Sequence, residues 1–312
     1  MAKVKDIVTV SDHSQPLPGF TQAKANAQAI YDSLDVSENT RQDYKTRIQS
    51  FLEFIKDQEV NHNLFLEYKR SLAQHSDLSV ATKNKYLAAA RIFLKEVCRR
   101  GMLPTDITQN IKGFRQDKKH KRDGLNNDEI ITLVEKLNSL PHTPRTDRIK
   151  AIIVLLTLQG LRQVEIIRLN ISDIDLVGKR AFIQGKGRDD KEPVDLHPET
   201  VRLLKEYMGS NNVKDGALFT SRSNNSRNLR ITTRSIRSIA KTLLNDLGID
   251  KTVHGFRHYF ITTLVDKFGG NLLDVAQYSR HRSLEMLQIY YDRVRKQHDL
   301  PKYYKAFEKV SF

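Results

Sequence analysis

Apolar residues recur at spacings of three and four through much of the first 115 positions, which is the period of an amphipathic helix. Tyr44, Ile48, Phe51, Leu52 and Ile55 form one stripe, with Ser37 placed to cap the helix start and Arg41, Lys45 and Arg47 on other faces. Leu64 to Leu72 gives a shorter helix. A longer one starts near Ser79, carries Tyr86, Ala90, Phe93, Leu94 and Val97, and ends near Gly101. Residues 21–115 therefore read as a small all-helical domain. Residues 1–20, polar and containing Pro16 and Pro18, read as a loose lead-in.

Residues 116–124 lack apolar side chains and include Lys119 and Lys121, so they read as a basic linker. A second domain follows over 125–312. Asn127, Asp128 and Glu129 open a helix whose apolar positions are Ile130, Ile131, Val134 and Leu137. Arg148 to Leu158 is nearly all apolar and stops at Gly160, which predicts a buried helix, and Val164, Ile167 and Leu169 suggest another. Arg180 to Gln184 and Glu192 to Leu196 flank a glycine-rich polar turn, a β-hairpin with Lys186 at its tip. From Thr232 onward, Ile236, Ile239, Ala240 and Leu243 face one way and Arg234, Arg237 and Lys241 the other. The fold class is mainly α with a small β-hairpin or sheet.

Charge narrows the partner. Lys and Arg number 52 against 37 Asp and Glu, a net +15, which suits a polyanion, and nucleic acid before membrane. A basic surface kept for solubility is the bland alternative. The single cysteine, Cys98, excludes an internal disulfide and a multi-thiolate metal site. Residues 1–19 lack the apolar core of a signal peptide, and Ile152 to Leu158 is too short to span a bilayer, so a cytoplasmic protein is expected.

The chemistry is concentrated between His254 and Tyr291. Imidazole, guanidinium and phenol groups cluster there as His254-Gly255-Phe256-Arg257-His258, then His281, then Tyr290-Tyr291. Guanidinium clamps two non-bridging phosphate oxygens at once, and a tyrosine oxygen can attack phosphorus if fixed cations favour loss of its proton. Adjacent residues on a helix point about 100° apart, so only one of Tyr290 and Tyr291 can face such a phosphate.

His254-x-x-Arg257, then His281, then a tyrosine at 290, resembles the tyrosine recombinase or phage-integrase family. Two upstream boxes strengthen the likeness: Gly160-Leu161-Arg162 with Glu165 three places on, and Gly185-Lys186-Gly187. The resemblance implies a SAM-like helical core-binding domain joined to a mixed α+β catalytic domain, closing on a duplex as a clamp. It further implies cleavage and rejoining of DNA through a 3′-phosphotyrosine, without ATP, cofactor or metal. Under it Tyr290 is the nucleophile, with Tyr291 a packing residue. Arg162, Arg257 and His281 bind the phosphate, Lys186 protonates the leaving oxygen, His254 assists proton transfer and Glu165 buttresses the site.

Thr82, Lys83 and Asn84 at a helix start, Lys119 and Lys121 in the linker, and Arg230, Arg234 and Arg237 near the basic helix are the expected DNA contacts. The expected partners are double-stranded DNA with paired inverted recombination sites, further copies of this chain in a tetramer joined through the tail from Tyr303 to Phe312, and accessory DNA-bending or directionality proteins. The sequence departs from the family at Ser279-Arg280-His281-Arg282, where the family has Leu-Gly-His-Ser. A type IB topoisomerase-like relaxing enzyme and a non-catalytic DNA-binding protein on the same fold are the alternatives.

Overall fold

The computed structural model describes residues 27–56, 61–116, 124–185, 187–224 and 227–310. They divide into two compact units at Asp117 and Lys118. The first unit contains α1 (Ala27–Asp32), α2 (Glu38–Phe54), α3 (Leu64–Gln74) and α4 (Val80–Arg99). The stripes read from the sequence meet in one core, where Phe51 packs edge-on to Tyr68 at 4.9 Å between ring centroids and contacts Phe93 at 6.4 Å. Burying each such side chain contributes about 1.5–3 kcal/mol. Ser79 caps α4 by accepting from the Thr82 N–H at 3.2 Å. Ser37 occupies the cap position of α2, but its hydroxyl pairs with that of Thr40 instead. Helix α1 had no counterpart in the sequence reading, being only six residues long.

The second unit runs α5 (Asn127–Ser139), α6 (Pro144–Thr157), α7 (Gln163–Arg168), β1 (Ile174–Asp175), β2 (Arg180–Gln184), β3 (Lys191–Asp195), α8 (Pro198–Ser210), α9 (Thr233–Asp246), α10 (Val253–Lys267), α11 (Leu272–Ser279) and α12 (Leu284–Ala306). The three strands form an antiparallel sheet in the order β1, β2, β3, with Gln184 opposite Lys191 at the turn end of the hairpin. Strand β3 thus begins one residue earlier than expected. Helix α6 is the buried centre of the unit, opened by a Thr143–Thr146 capping box with Pro144 in the first turn. In α5 the buried positions are Ile130, Leu133 and Leu137, whereas Ile131 and Val134 are exposed. The apolar stripe was therefore drawn one face too wide. Leu169, read as helical, lies just past the end of α7.

A smaller apolar cluster of Ile261, Val265, Val275, Leu287, Tyr290 and Val294 joins α10, α11 and α12. Helix α12 continues into the tail as far as Ala306, with Pro301 inside it. Tyr303, Tyr304, Phe307 and Val310 remain exposed. Among the described residues no helix is long and apolar enough to cross a membrane.

Candidate active site

The site forms where α6 stops. Gly160 has φ +55°, and a Cβ there would lie 2.3 Å from Cδ1 of Phe260, so both backbone and packing demand glycine. The chain then turns so that Arg162 becomes the N-cap of α7. Its backbone N–H donates to Glu165 Oε2 at 2.8 Å and its Nη1 to Glu165 Oε1 at 2.8 Å. Glu165 is 1% exposed, while the Arg162 side chain keeps a third of its surface open.

Helix α10 supplies the second guanidinium. Arg257, 3% exposed, donates through Nη1 to the Gly160 carbonyl at 2.6 Å and through Nη2 to the Ser279 carbonyl at 2.7 Å. It thereby pins the α6–α7 turn to the end of α11, using two of the five N–H donors that a guanidinium carries. Burial, then repulsion from Arg162, pushes its pKa down to about 9, which leaves it cationic at neutral pH. His281 follows immediately, its Nδ1 2.8 Å from Ser279 Oγ.

Tyr290 enters from α12 and is 5% exposed. Its ring centroid lies 5.3 Å from that of His258, which in turn meets His254 at 4.5 Å. Burial raises the Tyr290 pKa to about 12, and Arg257, Arg162 and Arg293 pull in the opposite direction. Tyr291 points elsewhere: a Cβ on Gly270 would lie 2.3 Å from its Cε2, and Arg295 lies over its ring at 6.0 Å. Tyr290 shares the electrostatic environment of Arg162 and Arg257.

The structure therefore gathers Arg162, Glu165, Arg257, His281 and Tyr290, with His254 at the edge behind His258. Lys186 lies outside the described residues, as do Lys119 and Lys121. Its hairpin is anchored nearby, because Arg168 Nη1 on α7 donates to the Gly185 carbonyl at 3.0 Å. Two buried participants escaped the sequence reading. His258 was quoted only as part of a motif, and Arg280 only as a departure from one. Arg280, whose side chain is 5% exposed, donates through Nη2 to Glu165 Oε2 at 2.9 Å. The substitution of arginine for a small residue at 280 was the available signal. Its partner, 115 positions away, was not.

The expected DNA contacts are scattered. Arg234 and Arg237 are exposed on α9, with Arg237 Nε donating to Gln163 Oε1 at 3.0 Å. Arg230 precedes that helix and donates to the Ile167 and Leu169 carbonyls at 2.8 and 3.0 Å. In the first unit, Asn84 both donates to and accepts from the Phe114 backbone, at 3.0 and 2.8 Å, so its amide holds a loop. Lys83 Nζ donates to the Ala73 carbonyl at 2.9 Å, and Thr82 belongs to the α4 cap. No three His, Cys, Asp or Glu side chains among the described residues are grouped to hold a metal ion.

The phage integrase family model matches residues 124–298, which include every member of this site. The chain belongs to the phage integrase family. Tyrosine recombinase XerD of Oceanobacillus iheyensis is 28% identical over 273 residues, covering 82% of this chain and 88% of that protein. Tyrosine recombinase XerC of Roseiflexus castenholzii is 29% identical over 285 residues, covering 86% and 88%. Among solved structures, the XerH site-specific recombinase in a post-cleavage complex with palindromic difH superposes with a TM-score of 0.72 at 20% identity, covering 91% of this chain and 86% of that one. A λ integrase dimer bound to a COC′ core site gives 0.65 at 14% identity, covering 87% and 76%. These two share the fold. The chain is a tyrosine-type site-specific recombinase that acts on DNA.

Proposed function

We propose that Tyr290 is the nucleophile and that it cleaves double-stranded DNA to leave a 3′-phosphotyrosine. The observation that carries this reading is a buried tyrosine whose ionisation Arg257 and Arg162 favour, beside a guanidinium cluster in which Glu165 is fully buried. An incoming phosphodiester supplies the missing negative charge. Arg162 and Arg257 take its non-bridging oxygens and His281 donates a third hydrogen bond. As the Tyr290 O–P bond forms, the bond from phosphorus to the 5′-oxygen breaks. The phenol proton leaves with help from His254, and Lys186 delivers a proton to the departing oxygen. Attack by a 5′-hydroxyl on the phosphotyrosine reverses these steps on a new strand, so rejoining needs no ATP.

Thr82, Lys83, Asn84, Lys119, Lys121, Arg230, Arg234 and Arg237 are assigned to the surrounding duplex. Arg234 and Arg237 have the best support, since both are exposed on the basic side of α9. The substrate is a pair of inverted sites acted on in integration, excision or dimer resolution by a tetramer, with accessory DNA-bending or directionality proteins available to set the outcome. The exposed aromatic end of α12 supports the tail as the link between protomers. Such an enzyme works in the cytoplasm, on the nucleoid.

A suicide-substrate assay tests the chemistry. With nicked duplexes carrying the cognate site, the parent protein forms a covalent adduct on a denaturing gel. Tyr290→Phe forms none, and Tyr291→Phe still does. Loss with Tyr291→Phe alone would move the nucleophile by one residue, and salt-sensitive binding without any adduct would favour a non-catalytic DNA-binding role.

A further inference from the structure

Arg280 carries two unfavourable features at once. Its backbone is left-handed, with φ +57° and ψ +38°, a conformation that glycine adopts without strain and other residues resist. Its side chain is 5% exposed, so a guanidinium has been taken out of water. Nε lies 3.8 Å from Glu192 Oε1, and neither Nε nor Nη1 has a hydrogen-bond partner among the described residues. Glycine at 280 would remove both the strain and the buried charge. Among the described residues the one hydrogen bond of its side chain runs from Nη2 to Glu165 Oε2.

That contact alters the charge presented by Arg162. Glu165 accepts three hydrogen bonds: two from Arg162, through its backbone and its Nη1, and one from Arg280. An isolated Arg162–Glu165 pair would be neutral overall and would attract phosphate weakly. Glu192, the carboxylate near Arg280 Nε, is itself paired with Arg188, so the three guanidiniums of Arg162, Arg188 and Arg280 outnumber the two carboxylates of Glu165 and Glu192 and the group keeps a net positive charge. Arg280 also ties the end of α11, from which His281 follows, to the first turn of α7.

We infer that Arg280 is a positioning residue for strand cleavage. It acts through Glu165, holding the carboxylate in register with Arg162 and preserving the positive charge that Arg162 offers to the scissile phosphate. The inference rests on the catalytic reading above. Because Arg280 is buried, it contributes to the cleavage step rather than to capture of the duplex.

The test uses the full chain, a nicked suicide duplex carrying the cognate site, and two readouts: the rate of covalent adduct formation at saturating DNA, and the Kd for the same duplex. Arg280→Gly is expected to slow adduct formation by about tenfold to a hundredfold, the usual effect of losing a partner behind a reacting group, while leaving Kd unchanged. Arg280→Lys, which restores charge without the fork, should recover part of the rate. Arg280→Gly combined with Glu165→Gln should be no slower than Glu165→Gln alone, since both changes interrupt one linkage.

An Arg280→Gly rate equal to the parent's would overturn the inference, as would a deficit seen only below saturating DNA. Multiplying penalties in the double variant would do the same, and so would failure of Arg280→Lys to improve on glycine. Should Arg280→Gly not fold, as judged by its melt, Arg280→Lys with and without Glu165→Gln carries the same comparison: non-multiplying penalties support the linkage and multiplying ones overturn it. If the parent itself forms no adduct, the catalytic reading falls and takes this one with it. A parent adduct with an unimpaired Arg280→Gly rejects only the role of Arg280.

Discussion

The two units bury different kinds of residue. In the helical unit the described interior is apolar apart from Thr108 and tyrosine hydroxyls, and most of its ion pairs, such as Arg41–Glu38 and Arg99–Glu96, run between neighbouring turns of one helix. In the catalytic unit Asp147, Lys150, Gln159, Glu165, Asp173, Arg257 and His258 are all buried. Several of the contacts there join distant segments, as in Arg257 to Ser279 and Arg280 to Glu165. A buried charge is unfavourable unless paired and hydrogen-bonded. Arg257 and His258 lie beside Tyr290, with Glu165 bound to Arg162, and such a grouping of buried charge is weak evidence for stability.

The contrast can be broken most severely in the apolar core. Phe93→Ala should destabilise the helical unit by about 3–5 kcal/mol. At a temperature where both proteins are folded, its adduct rate at saturating DNA should match the parent's, and urea unfolding beside the suicide assay checks both statements. Slowed chemistry in the folded variant would erase the division of labour.

Arg257→Lys makes the opposite test. The charge stays but the fork is lost, so adduct formation should fall about 10²–10³-fold, the usual effect of removing one preorganised donor. A stranded buried carbonyl, that of Gly160 or Ser279, should lower stability by about 1–3 kcal/mol. An unchanged rate would mean that Arg257 is only a structural staple.

The smallest effect concerns Glu96 on α4. Hydrogen bonds from Arg99, and also from Arg100, hold its carboxyl down at about 2, against an ordinary 4.5. A depressed folded-state pKa stabilises above the unfolded value and loses that contribution as pH falls from about 4.5 towards 2. Glu96→Gln should therefore cost about 0.2–1 kcal/mol at neutral pH, as solvent-screened pairs do. The gap to the parent should close on acidification through that window, as followed by thermal melts. A gap independent of pH would show that packing rather than charge is responsible.

Much of the fold was legible because long amphipathic helices carry their period openly, as α2 and α4 do. The six-residue α1 is too short to declare one, α7 was read but carried one residue too far to Leu169, and α5 misled because Ile131 and Val134 lie on its exposed face. At the site, Arg162, Glu165, Arg257, His281 and Tyr290 were found through motifs of fixed local spacing. Asn84 and Arg230 were assigned to DNA because their positions suited it, yet each makes internal backbone contacts that one-dimensional spacing does not reveal.

By itself the sequence determined the helical character, the basic charge, the family and the residue types of the reaction, all of which reside in local pattern and composition. The spacing after His281 already favoured Tyr290 over Tyr291, and the tertiary structure decided what surrounds each. It placed Tyr290 in the cluster joining α10 to α12 and turned Tyr291 towards Gly270. It also brought Arg280 to Glu165. Such choices depend on how distant segments pack and on which charges share a dry interior, and neither is encoded in any single stretch of chain.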